Sequence, residues 1–150
     1  MANQKKGSEI AAVLSSIDPD VYVAAAYTGD YCDMSKFSRL LAIFQMGTLG
    51  TSATVDCILV QATASAGTGV KAIANCVAAQ LTEAGTDSDK QALINCSAAD
   101  LDVEGGFTWV APKMTVAVAT SDAGAVVLGF YPDDGPANDN DLASVDEIVN

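Results

Sequence analysis

The sequence of 150 residues predicts an all-β protein, an antiparallel sandwich with an extended N-terminal arm and a C-terminal tail. Short segments rich in apolar and β-branched residues recur along the chain, and clusters of Gly, Asp, Ser and Thr separate them. No coiled-coil heptad is sustained. Short strands with turn signals between them are typical of a sandwich. A chain of this length suits one domain, which buries about 70% of the surface that its unfolded form exposes.

The chain is predicted to divide into an arm (residues 1–20), a sandwich domain (residues 21–131) and an acidic tail (residues 132–150). The arm combines Lys5, Lys6 and Gly7 with the short helical-looking stretch "EIAAVLSSI", and "DPD" at 18–20 then breaks it. We expect the arm to dock on a neighbouring subunit and to be mobile in the free protein.

Seven strands are predicted in the sandwich domain, over residues 21–27, 39–46, 54–62, 72–81, 91–97, 108–120 and 125–130. Residues 70–81, "VKAIANCVAAQL", also have a helical pattern, but the flanking Thr and Gly favour a strand. Period-two placement predicts nine buried side chains. They are Val55, Cys57, Leu59, Ile94, Cys96, Val116, Val118, Val126 and Leu128.

Two of these strands are apolar on both sides. In residues 39–46, Leu41 and Ile43 lie on the side opposite the larger apolar set, and in residues 55–61 Ile58 and Val60 do the same. A strand with one face in solvent would be more polar there. The pattern therefore predicts that an arm, a helix or another subunit covers the second face.

The tail changes the chemistry of the chain after residue 131. It carries six Asp or Glu and no Lys or Arg, and it ends in a small apolar pair, Ile148 and Val149. Pro132 and Pro136 stop further strand pairing. The tail is too polar to add much core, so we expect it to serve attachment to a partner.

Composition excludes several classes of function. A net charge of -12, from 19 acids against seven bases, repels nucleic acid. No run of 18 apolar residues and no secretory pattern is visible, so we expect no membrane association and synthesis in the cytoplasm. Histidine is absent, which removes Ser-His and Cys-His catalysis, and the acids gather in turns and the tail. We expect neither an enzyme nor a cofactor.

The four cysteines have no metal-binding spacing. Cys32, Cys57, Cys76 and Cys96 include no Cys-x-x-Cys pair, so zinc would need four sulfurs from distant strands. Cys57 and Cys96 lie in strand-like runs and are predicted to be small buried hydrophobes. The alternative is a disulfide formed after the protein leaves a reducing cell.

The C-terminal third carries a resemblance to a known class of proteins. Residues 100–149, from "DLDVEGGFTWVAPK" to "NDNDLASVDEIV", resemble small virion proteins of tailed bacteriophages and prophages, which are often encoded close to the major capsid protein. In such sequences a strand like "TVDCILVQAT" precedes one like "GGFTWV", and the chain ends in a similar tail. The likeness covers roughly residues 35–149. One difference is Asp133, where such sequences tend to have a basic residue.

The resemblance implies a jelly-roll-like sandwich and a structural role. The implied function is a capsid cement or decoration protein on the capsid surface of a virion, made in the host bacterial cytoplasm. Its partners would be the major capsid protein and itself, as a homo-oligomer such as a trimer. The alternative is a head-to-tail connector or tail protein, and a non-viral binding module is the next class. No active-site residue comes with the resemblance.

Overall fold

The computed structural model describes residues 5–149, in which two antiparallel sheets pack face to face. A short helix, α1 (Gly7–Ile10), precedes the strands. In chain order the strands are β1 (Ala11–Tyr22), β2 (Ala25–Thr28), β3 (Cys32–Asp33), β4 (Phe37–Met46), β5 (Thr54–Ala62), β6 (Lys71–Val77), β7 (Leu81–Thr82), β8 (Gln91–Ser97), β9 (Trp109–Ala117) and β10 (Ser121–Pro132). Short 3-10 turns cover Met34–Lys36, Ala98–Asp100 and Ala137–Asn140.

The strand order is that of a jelly roll. Sheet A has the order β1-β10-β4-β8, and sheet B has the order β2-β9-β5-β6, with β3 beside β9 and β7 beside β5. All of these pairings are antiparallel. The chain crosses to the opposite sheet at each connection except those between β2 and β3 and from β5 to β7, as expected for a double-sheet jelly roll. The predicted all-β, jelly-roll-like sandwich is confirmed.

The core lies between the two sheets. Phe44 and Val127 of sheet A and Val55, Leu59 and Met114 of sheet B have no exposed surface. The strands predicted over 54–62 and 91–97 have those bounds. Turn residues at both ends of these segments made the strand positions predictable from the sequence. The strand predicted over 72–81 is a strand and not a helix, but it ends at Val77, and β7 begins only at Leu81. Six of the nine predicted core side chains are buried, namely Val55, Cys57, Leu59, Ile94, Cys96 and Val116.

The other three core predictions are wrong. In β10, Val127 has no exposed surface and points into the core, so Val126 and Leu128 lie on the opposite, outer face and are half-buried. The stretch "GAVVLGF" is apolar on both sides, so its pattern does not indicate which of the alternating residues face the core. Val118 is 71% exposed because the chain turns there, between β9 and β10, with a φ of +72°.

The predicted boundary between arm and sandwich is also wrong. Residues 11–20 belong to β1, which pairs with β10, and Ala12, Leu14 and Ile17 are buried. The "DPD" sequence does not end the strand, because the β1–β10 register shifts between Ile17 and Asp20 and Pro19 falls within that shift. An edge strand tolerates proline at such an irregularity. Of the predicted arm, only residues 1–10 precede the sandwich, and the first four lie outside the described residues.

The tail begins near its predicted boundary, since β10 ends at Pro132, but its first part packs back on the domain. Ala137 has no exposed surface. The Val13 amide donates to Asp141 Oδ1 at 2.7 Å, and the Leu142 amide donates to the Val13 carbonyl at 2.8 Å. The tail thereby satisfies backbone groups at the free edge of β1, as natural sheets commonly arrange. Ile148 and Val149 remain 38% and 85% exposed.

The orientation of β10 can be tested with two neighbouring valines. Val127→Ala removes two methyl groups from the core and should lower the free energy of unfolding by roughly 2 kcal/mol. Val126→Ala makes the same change on the outer face and should cost less than about 1 kcal/mol. Urea unfolding of both variants measures the difference. Equal losses, or a larger loss for Val126→Ala, would contradict the observed register.

The attachment of the tail to β1 can be tested at Asp141. Asp141→Ala leaves the Val13 amide without its acceptor and should lower the free energy of unfolding by about 1 kcal/mol. Hydrogen exchange should become faster at Val13 and Leu142. Asp146→Ala changes an exposed acid of the same tail and serves as the control. If both variants exchange like the unchanged protein, Asp141 does not hold the tail.

Candidate protein-protein interface

The outer face of sheet A carries a continuous set of apolar side chains. We call this set the apolar face. It consists of Val13 from β1, Val126, Leu128 and Phe130 from β10, Leu41 and Ile43 from β4, and Leu93 from β8.

The strand register makes the apolar face continuous. Leu128 pairs with Val13 on one side and with Leu41 on the other. In the next row Ile43 pairs with both Val126 and Leu93. Side chains opposite each other on antiparallel strands have Cβ atoms about 4.5–5.5 Å apart and contact one another. The face therefore spans the four strands of sheet A without a gap.

Exposure and charge distinguish this face from an ordinary solvent-facing sheet. Leu93 is 61% exposed, and the other six side chains are half-buried. The rows through Leu128 and Val126 contain Ser16 and Asn95 besides the apolar residues, and no charged side chain, whereas the row through Phe130 contains Arg39. Outer faces of antiparallel sheets are usually polar. A contiguous apolar surface on a small domain indicates contact with another molecule.

A shallow groove extends the apolar face at one end. It encloses about 640 Å³ and is lined in part by Pro19, Val21, Ile43, Gln45, Asp122 and Val126. Val21 and, beyond the groove, Val23 are each 60% exposed. Gly124 lies at the floor, where an added Cβ would be 3.0 Å from the Pro19 backbone. The groove combines apolar residues with two acidic ones, Asp20 and Asp122.

The outer face of sheet B differs. The sequence predicts that another element covers Ile58 and Val60 of β5. Within the single chain Val60 is already only 2% exposed, and Ile58 is half-buried. Charged and polar side chains of this face, among them Asp56, Lys113 and Thr115, stand across from one another or from Ile58. The two-sided apolar pattern in β5 is thus largely buried by the chain itself, whereas that of β4 forms part of the apolar face.

The cysteines are all buried, and two of them lie together. Cys76 and Cys96 meet near Asp100, with one ligand atom of each residue within 4.8 Å of the others. Burial, with a smaller contribution from a neighbouring Asp, raises the pKa of both Cys32 and Cys57 to about 12, so these thiols stay protonated. The burial of Cys57 and Cys96 agrees with the prediction. The proximity of Cys76 to Cys96 was not predictable from their spacing.

Asp100 binds the backbone and side chain of Ser97 in this cluster. Its Oδ2 accepts hydrogen bonds from the Ser97 amide at 2.8 Å and from Ser97 Oγ at 2.7 Å. These bonds lower the pKa of the Asp100 carboxyl. They also close the 3-10 turn Ala98–Asp100 that follows β8. Three potential metal ligands therefore meet here, one of which is already bonded to the backbone.

Comparisons with known proteins show little similarity. No protein-family model matches the sequence, and no curated protein matches it. Over residues 5–149, no helix is both long and apolar enough to cross a membrane.

Two solved structures show a distant likeness. One is a chain of the structure of infectious bursal disease virus Gx strain, with 12% identity and a TM-score of 0.40 over 85% of this chain and 32% of that one. The other comes from the Gt strain, with 11% identity and a TM-score of 0.39 over 85% and 33%. The present chain spans about a third of their length. Values this low give no basis for assigning a function.

Proposed function

We propose that this protein is a structural virion protein, a capsid cement or decoration protein that binds the major capsid protein and stabilises the mature head. The observation that carries the proposal is the apolar face of sheet A. It is four strands wide and open, and it contains no cluster of polar groups that would orient a small ligand. Small-molecule sites are concave and enclose their ligand. A broad apolar surface suits another protein.

The sequence resemblance supports a capsid as the partner. Residues 35–149 resemble small virion proteins encoded close to the major capsid protein. A jelly roll is compatible with this role, although lectins and cupins also use it, and a fold alone assigns no function. The surface and the resemblance together favour attachment to a virion over catalysis.

The exposed end of the tail supplies a second point of attachment. Ile148 and Val149 are exposed, while residues 137–142 anchor the tail to β1. A rigid domain and an extended end that bind adjacent capsid subunits reinforce one another, because the second contact forms at high effective concentration. The charge of -12 keeps the unattached protein soluble. We propose a homo-oligomer, a trimer, as the form bound to the shell.

The alternative is a head-to-tail connector or a tail protein. The same apolar face would then mediate contacts around a ring instead of contacts with the capsid lattice. Symmetry distinguishes the two. In a density map of the assembled particle, a cement protein lies at threefold or quasi-threefold positions, whereas a connector lies in a ring on the portal axis.

Attachment through the apolar face can be tested at Leu93, its most exposed residue. Leu93→Glu places a charge on the face without entering the core. We expect unfolding to be unchanged within about 0.5 kcal/mol and co-sedimentation with capsids that lack this chain to weaken at least about tenfold.

Val77→Glu is the matched control, because Val77 is 55% exposed on a strand of sheet B. It should bind as the unchanged protein does. If the control loses binding and Leu93→Glu does not, the interface lies on sheet B. If both bind normally, the apolar face is not the attachment surface.

A further inference from the structure

We propose that Cys76 and Cys96 form a disulfide that joins sheet B to sheet A when the protein enters an oxidising medium. Cys76 lies in β6, at one edge of sheet B, and Cys96 lies in β8, at one edge of sheet A. The bond would cross the open rim of the sandwich. This inference does not depend on the proposed function.

The two sulfurs are already close. They lie within 4.8 Å of each other. A disulfide needs an S–S distance of about 2.0 Å, so the sulfurs must approach by less than about 3 Å. Both side chains are at most 2% exposed, which keeps the pair in one place.

Each thiol donates a hydrogen bond to a backbone carbonyl, Cys76 Sγ to Asn95 at 3.5 Å and Cys96 Sγ to Ser97 at 3.7 Å. The thiolate is the attacking species in disulfide exchange. Either cysteine can therefore serve as the nucleophile once it loses its proton, and the other resolves the intermediate.

A small-molecule disulfide, such as oxidised glutathione, serves as the oxidant. One of the two cysteines loses its proton to solvent, its Sγ attacks one sulfur of the oxidant, the S–S bond of the oxidant breaks, and one thiolate leaves. The second cysteine gives its proton to solvent and its Sγ attacks the Sγ of the first, which expels the second thiolate. The protein loses two electrons and two protons, and the oxidant is reduced to two thiols.

Entry of the oxidant requires the rim to open, because both thiols are buried. The weak attachment of β6 provides this opening. Its pairing with β5 is interrupted by a register shift between Ile58 and Val60. β6 is an edge strand, and β5 is its neighbour in the order of sheet B. Local opening of an edge strand costs less than global unfolding. Oxidation should therefore proceed under native conditions, and slowly.

The geometry favours a disulfide over a metal site. Zinc in a structural site takes four ligands in a tetrahedron. The cluster supplies the two sulfurs and Asp100, whose Oδ2 already accepts two hydrogen bonds from Ser97. A disulfide needs the two sulfurs alone and leaves the Asp100 turn intact.

The test is oxidation of the full-length, reduced protein in a glutathione buffer, followed by alkylation and peptide mapping by mass spectrometry. Unreacted thiols should fall from four, the number in the reduced chain, to two. One linked peptide pair containing residues 76 and 96 should appear. The midpoint of thermal unfolding should rise on oxidation and return on reduction.

Three variants serve as controls. Cys32→Ala and Cys57→Ala should keep the link, and Cys96→Ala should abolish it. Peptide mapping of the unchanged protein shows whether the disulfide between residues 76 and 96 forms, even if a variant fails to fold. Four free thiols after oxidation, or a link that includes Cys32 or Cys57, would overturn the proposal. So would one equivalent of bound zinc that protects both thiols.

Discussion

The pairing of β10 with β1 on one side and β4 on the other is the interaction on which the rest of the structure depends. Alternate side chains of β10 fill the core and form the apolar face, so a shift of one residue would exchange the two sets. Gly129 helps to fix the register, because a Cβ at that inward position would lie 2.8 Å from Phe37 Cδ1. The same strand thus determines both the stability of the sandwich and the surface that we propose for attachment.

The two rims of the sandwich are closed in different ways. At the rim formed by β1, the tail supplies Asp141 and Leu142 as hydrogen-bonding partners for the edge. At the rim formed by β6 and β8, two thiols lie side by side. The tail therefore protects an edge from unwanted pairing as well as carrying the exposed apolar end.

Strand positions were predictable from the sequence where turn residues bound an apolar run, as at residues 54–62 and 91–97. Other features depend on contacts between distant residues. Val126 and Val127 are adjacent and identical, and only the pairing with β4 decides which one is buried. The sequence around Pro19 predicts a strand break, because the position of this proline at an irregular sheet edge is a tertiary property. The apolar face was partly predictable: Leu41 and Ile43 indicated an apolar second face, but so did Val60, which the chain itself covers.

The placement of β1 beside β10 also governs how the chain folds. β1 pairs with β10, which lies far from it in the sequence, so sheet A cannot form until β10 is in place. Until then, β4 and β8 present apolar side chains on both sides with no central strand between β1 and β4. Pairings of such long sequence separation form slowly. Folding intermediates in which β10 has not yet paired are accordingly the ones most prone to aggregate, because their apolar strands lack the strand that organises them.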